Sequence, residues 1–500
     1  MDTFESVLYL VKPGCYMASV DLKDAYYSVF IAEEDRVKLI FEHRGILYQY
    51  QALPNGISFA PRTFTKLMKP IYASLRFEIN SEKMVVTLPE TKVLTLLQEC
   101  KDLYRKYQVS IQIVARILGL MVSSFSAVEY GQLFYRKIEK EKIHALKLSK
   151  GDYSCKMYVT DEMKSELKWW IDNLCSQERV IDHGNANLVI VSDASSLGWA
   201  GICENQEIGG RWTTTEADHH INYLELLAAY LSVTAFCKNK SNIHVQVQSD
   251  NTCTVANIRN MGSCRSLECN DLVHKLWIWC IERSIWLSST HIPGKSNISD
   301  YGSRNFKENV EWKLNEKIFR DITDLWGLPE IDMFASRLNY QLLKYVSWKP
   351  DAEACFVDAF SLDWSKMFMY IFCPFSLVGR VLQKLRQDQA ECIMLVPLWP
   401  TQNWWNNFLE HLIEIPYIVP VTGKVLQIPF TDKIHPLVGK LNLFISRLSG
   451  NRLKVETFQR GLPTLSCPYG NVQHKINTQF TLKNGFSSVM KNKLIQFKLL

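Results

Sequence analysis

Four acids in the middle of this 500-residue sequence sit where carboxylates can be gathered into one site. Asp193 closes the apolar run LVIVSD, and Asp250 closes HVQVQSD. Glu225 lies in the first turns of INYLELLAAY, and Asp300 opens a helix in NISDYGSR. An aspartate at the end of a buried strand emerges at the sheet edge, where charges cluster without complete desolvation. Carboxylates held together repel one another, and divalent cations neutralise them. Mg²⁺ suits such a set because it takes hard oxygen ligands and keeps several waters, and Mn²⁺ accepts the same donors. Two ions about 3.5–4 Å apart can activate a water and stabilise the leaving oxygen in phosphodiester cleavage. A plainer alternative exists for two of the acids. Asp250, in Asp250-Asn251-Thr252, and Asp300 each read as a helix N-cap when taken alone. Together, the four arrive in the order and context that one site needs.

The elements that must position them can be read from periodicity. NLVIVSDASSLGWAGICENQEIGGRW supplies three strand-sized runs separated by turns. INYLELLAAYLSVTAF (221–236) is a helix, HVQVQSD (244–250) a strand and DLVHKLWIWCIERSI (271–285) an amphipathic helix. WLSSTHIPG is a further strand ending in a loop. The order βββαβαβα predicts a mixed five-stranded sheet with flanking helices over 186–305, with Asp193, Glu225 and Asp250 meeting at one edge.

Outside this region the patterns differ. KLIFEHRGILYQYQAL (38–53) reads as a hairpin turning at His43–Gly45, and LPNGISFAPRTFTKLMKPIYASL (53–75) as a turn and an amphipathic helix. Helical patterns run from about 90 to 180, including the basic stretch RKIEKEKIHALKLSK (136–150), whose charges read as a solvated face. A Trp-rich α/β pattern occupies about 312–418. The last eighty residues have little periodicity and read as a loosely packed tail.

Composition narrows the class. With 47% hydrophobic and 22% charged residues the chain is globular, and its length implies several domains. The net charge of +6, from 57 basic and 51 acidic residues, is compatible with a polyanionic partner and does not establish one. Fourteen cysteines without a CxxC pair argue against zinc ribbons and a disulfide framework, and for a reducing compartment. No basic-then-apolar leader opens the sequence. MFMYIFCPFSLVGRVL (367–382) is too short and too interrupted to span a bilayer. The expectation is an intracellular protein of nucleus or cytoplasm, neither secreted nor membrane-bound.

SDASSLGWAG, INYLELLA, QSDNT and HIPGKSNISDYGSR resemble the type 1 RNase H domain of retroelements. The resemblance implies cleavage of the RNA strand of RNA–DNA hybrids, with Asp193, Glu225, Asp250 and Asp300 as ligands of two Mg²⁺ ions. It implies that His291 is the mobile histidine near the leaving group, although a lone histidine at a strand end also reads as a surface residue. Asn222 resembles an asparagine that contacts the hybrid's minor groove, consistent with duplex reading by shape and 2′-OH.

MASVDLKDAYYSV and LPNGISFAPRTFTKLM resemble a reverse transcriptase palm, with Asp21 as its first metal-binding carboxylate. That family needs a second motif, Tyr-x-Asp-Asp, and no Asp-Asp dipeptide occurs in this sequence. Asp21 therefore reads as vestigial and polymerase activity as lost. EIDMFASRLNYQLLKYVSWKPDAEACFVDAFSLDW with MYIFCPFSLVGRVLQKL resembles an adenine-N6 methyltransferase-like domain. Its catalytic Asn/Asp-Pro-Pro-Tyr/Phe stretch is here Phe372-Cys373-Pro374-Phe375, without the polar first residue. Asp332 and Asp358 are either marks of a nucleotide-shaped pocket or structural acids.

The order of the three segments resembles DIRS-type retrotransposon polyproteins. It implies a multidomain α/β and α+β chain: a truncated palm (1–76), a helical thumb- or connection-like region (77–185), an RNase H-like domain (186–305), a degenerate methyltransferase-like domain (306–418) and a tail (419–500). Two functions compete. One is a retroelement-derived nuclease acting on RNA–DNA hybrids; the other is a catalytically dead remnant that only binds nucleic acid.

Overall fold

The computed structural model describes residues 8–15, 30–52, 77–262, 266–306, 311–431, 433–464 and 487–500. Asp21 and the expected helix within 53–75 lie outside the described residues. The chain divides into two compact units, residues 1–185 with 257–277, and residues 186–256 with 278–500.

The first unit is mainly helical. The expected hairpin pairs Ile40–His43 with Ile46–Gln49. Its two-residue turn places Arg44 and Gly45 at φ 55° and 75°, the left-handed pair that matches strand twist. Helices follow over Glu90–Arg105, Ile111–Ser124, Arg136–Leu148 and Asp161–Asn173. In Arg136–Leu148 only Ile138 is buried, so the basic stretch does present a solvated face. Glu166 reaches the start of that helix, where its carboxylate accepts the Lys137 and Ile138 N–H groups at 3.0 Å. The segment 257–277 belongs here through aromatic contacts: Trp277 lies edge-on to Tyr130, and His274 to Phe134.

The second unit begins with β1 (Leu188–Ala194), β2 (Gly198–Cys203) and β3 (Gln206–Arg211), joined as antiparallel neighbours. Helix α1 (Ile221–Phe236) leads to β4 (Ile243–Ser249), which is parallel to β1. Helices α2 (Thr252–Arg259) and α3 (Leu267–Ile281) lead to β5 (Ile285–His291), parallel to β4. The sheet order is β3-β2-β1-β4-β5, the expected mixed five-stranded arrangement. Eleven residues of α1 are buried, so this helix is covered almost all round and shows little amphipathic signal. Gly201 on β2 allows its close approach, since a Cβ there would stand 2.1 Å from Ser232 Oγ.

After the short helix α4 (Asp300–Arg304) and helix α5 (Glu316–Trp326), a second mixed sheet forms. Its strands are β6 (Ile331–Asp332), β7 (Phe368–Ile371), β8 (Glu391–Pro397), β9 (Tyr417–Pro420), β10 (Asn442–Ser449) and β11 (Lys498–Leu499), ordered β6-β7-β8-β10-β9-β11. Helix α6 (Val378–Gln387) connects β7 to β8. The period-2 alternation of β8 separates two cores. Cys392, Met394 and Val396 pack with Val381 and Leu385 of α6. Ile393 and Leu395 pack with Phe319 and Ile322 of α5.

This sheet corrects the expectation of a loosely packed tail. β10 runs between β8 and β9 with Leu443, Phe444 and Ile445 fully buried. Covered on both faces, NLFISRLS has no polar face and thus no alternation to read. Its Arg447 is accommodated by Glu391 at 3.3 Å.

Candidate active site

Three of the four acids meet. One carboxylate oxygen from each of Asp193, Glu225 and Asp250 lies within 4.8 Å of the others. The frame explains the meeting. Asp193 is near the end of β1, Asp250 follows the adjacent parallel strand β4, and Glu225 projects from α1. Asp300 is not in this grouping. It is the first residue of α4, and its Oδ1 is bound by Arg304 at 2.6 Å.

The cluster is more deeply buried than an exposed sheet edge. Asp193 and Glu225 are 3% and 6% exposed, because α1 covers β1 and the loop after β5 folds back over the strand end. Burial raises the Asp193 pKa to about 6, opposed by the nearby Ser303 hydroxyl and reinforced by the Asp250 and Asp300 charges. Burial also raises Glu225, to about 9, reinforced by Asp193 and Asp250 and opposed by the Ala194 N–H. Asp193 Oδ2 and Glu225 Oε2 are buried without a hydrogen-bond partner. Two orphaned carboxylate oxygens in a buried acidic cluster are what a hard divalent cation would satisfy, so these residues fit one.

Neither capping alternative holds. The cap of α2 is Asn251, whose Oδ1 accepts the Thr254 N–H at 2.9 Å, which leaves Asp250 without that task. For α4 the N-cap position is Ser299, and Asp300 is already inside the helix.

His291 ends β5, is exposed, and its Nε2 lies 3.1 Å from the Asp250 carbonyl oxygen. Gly294 in the following loop approaches Asp250 closely; a Cβ there would stand 3.0 Å from Oδ2. Asn222, in the first turn of α1, accepts a hydrogen bond at 3.1 Å from Asn251 Nδ2. Two residues that the acid pattern did not single out hold this arrangement: Asn251, and Asn297, whose Nδ2 donates to Asp193 Oδ1 at 2.9 Å. Asn297 carries no periodic signal because it lies in a loop. Asn251 was visible only as part of a cap.

In the second sheet, Asp332 is buried and accepts the Gln341 and Phe334 N–H groups, and burial raises its pKa to about 7. That is a structural acid. Asp358 holds a left-handed backbone (φ 63°) and caps the Phe360 N–H. It lines a cavity of about 660 Å³ together with Phe360, Phe372, Phe375, Arg380 and Trp399. Trp404 and Trp405 are core residues.

No protein-family model matches the chain. No curated protein matches it either. Among solved structures, a foamy viral protease–reverse transcriptase in complex with double-stranded DNA is 12% identical with a TM-score of 0.26, covering 58% of this chain and 59% of its own. The foamy viral enzyme in complex with an RNA/DNA hybrid is also 12% identical with a TM-score of 0.26, covering 62% and 49%. LC11-RNase H1 in complex with an RNA/DNA hybrid is 17% identical with a TM-score of 0.20, covering 23% of this chain and 91% of its own. This chain thus spans about half to three fifths of the foamy viral chains. At these identities and TM-scores, the likeness assigns no activity to it.

Proposed function

We propose that residues 186–305 form a divalent-metal-dependent nuclease of the RNase H type, within a chain derived from a DIRS-type retroelement. The observation that carries this reading is the meeting of Asp193, Glu225 and Asp250, the first two buried, with one oxygen of Asp193 and one of Glu225 making no hydrogen bond. Two Mg²⁺ or Mn²⁺ ions, when bound, would activate the attacking water and stabilise the leaving oxygen of a phosphodiester. Asp193, Glu225 and Asp250 are their ligands in this reading, and Asp300 adds negative charge beside them. Asn222 faces the minor groove of an RNA–DNA hybrid, where the 2′-OH marks the RNA strand. His291 moves a proton at the leaving group, released from the Asp250 carbonyl when substrate arrives.

The other segments support no further chemistry in this reading. No Tyr-x-Asp-Asp motif accompanies Asp21, so nucleotide addition is not proposed. Phe372 offers no polar side chain where the methyltransferase-like motif needs one, so the 306–418 region acts at most as a binding domain. No helix among the described residues is long and apolar enough to cross a membrane. The test is incubation of the purified chain with a labelled RNA–DNA hybrid and Mg²⁺. Cleavage confined to the RNA strand supports the reading, and binding without cleavage favours a dead remnant.

A further inference from the structure

We propose that Asn297 is a positioning residue that fixes which oxygen of Asp193 is left free for a cation; this rests on the divalent-metal reading above. Asn297 lies in the loop between β5 and α4 and is 6% exposed. Its Nδ2 donates to Asp193 Oδ1 at 2.9 Å and lies 3.5 Å from the Ser192 carbonyl oxygen. Its Oδ1 accepts from the Ser299 N–H at 3.2 Å and the Ser299 hydroxyl at 2.6 Å.

These partners define the amide's orientation. Exchanging oxygen and nitrogen would set an NH₂ against the Ser299 N–H and a carbonyl against a carboxylate, losing the bonds to the Ser299 N–H and to Asp193 even if the Ser299 hydroxyl turned to accept. Ser299 is itself fully buried, so the amide cannot rotate without leaving buried groups unpaired. The consequence falls on Asp193. Its Oδ1 is occupied by the amide, and its Oδ2 is buried and makes no hydrogen bond, the nearby Ser303 hydroxyl donating at 3.0 Å to the Asp300 carbonyl instead. An asparagine does this where a lysine or arginine would not, because it donates without bringing a charge that competes with the cation. Helix α4, which follows this loop, is tied to the end of β1 as well, Ser195 Oγ, one residue beyond the strand, donating to the Ser303 carbonyl at 2.8 Å. Asn297 therefore has a fixed platform from which to hold the carboxylate.

The test is calorimetric titration of the full chain with Mn²⁺, at a temperature where each protein is folded, for wild type, Asn297→Ala and Ser299→Ala. Wild type is expected to bind Mn²⁺. Asn297→Ala should weaken binding at least about tenfold, because the freed carboxylate samples other rotamers. Ser299→Ala, which keeps the amide and removes its hydroxyl anchor, should weaken it less. It also serves where Asn297→Ala does not fold. A merely structural asparagine would lower the melting temperature and leave Mn²⁺ affinity unchanged. Unchanged affinity in folded Asn297→Ala, or in Ser299→Ala where the first variant is unfolded, overturns the positioning role while the nuclease reading stands. Absence of Mn²⁺ binding by wild type overturns both.

Discussion

The side-chain amide of Asn251 is held at both ends, its Oδ1 by the Thr254 N–H at 2.9 Å and its Nδ2 by Asn222 Oδ1 at 3.1 Å. One residue thus caps α2 and orients the asparagine beside the acids. With its oxygen engaged, Asn222 keeps its NH₂ for the hybrid contact proposed above. Asn251→Ser keeps a good cap and loses the reach to Asn222, so stability should stay within about 0.5 kcal/mol of wild type. KM for a hybrid should rise several-fold with kcat nearly unchanged. Asn251→Ala should show the same KM and lose about 1 kcal/mol as well. A wild-type KM in both variants would remove the orienting role.

Asp250→Asn separates catalysis from stability. Since Asn251 is the cap, the substitution removes a charge beside Asp193 and Glu225 without removing a helix anchor. Cleavage should fall by orders of magnitude, and the melting temperature without metal should hold or rise slightly. Loss of stability with retained cleavage would exclude Asp250 from the metal-binding set.

A smaller disturbance comes from Gly294→Ala. The added methyl would stand 3.0 Å from Asp250 Oδ2, a contact tighter than most, so the carboxylate must give by a few tenths of an ångström. Cleavage should drop several-fold while circular dichroism and melting change little, in line with the sensitivity of catalysis to small misplacements. Wild-type cleavage would show that the loop does not set the position of Asp250.

Glu166 provides a pH dependence remote from the acid cluster. Its pKa is raised from 4.5 to about 7, by burial first and against two backbone N–H bonds. The folded value lies above the unfolded one, so its contribution is fully present below pH 4.5 and is lost as pH rises through about 7. At about 1.4 kcal/mol per pH unit, that span amounts to about 3 kcal/mol. Urea midpoints of wild type should therefore fall between pH 5 and pH 8 relative to those of Glu166→Gln, which cannot ionise. Parallel pH profiles for the two proteins would refute it.

The meeting of three acids was easier to read from the sequence than what surrounds them. Asp193 and Asp250 were legible because each ends an apolar strand, and Glu225 because its helix is continuous. Their burial was not legible, since α1 and the loop carrying Asn297 come from distant parts of the chain. Asp300 matched by motif alone, and in the fold its carboxylate is bound by Arg304. β10 was missed because a strand covered on both faces shows no alternation.

In the proposed function this acid cluster cuts RNA paired with DNA. The most direct measurement is cleavage of an end-labelled RNA–DNA hybrid by the full chain in Mg²⁺, beside Asp193→Asn and an EDTA control. The expected result is RNA-strand fragments from wild type alone, none in EDTA, and an intact DNA strand throughout. Equal cleavage by wild type and Asp193→Asn, or none by a folded wild-type chain that binds the hybrid, would contradict it.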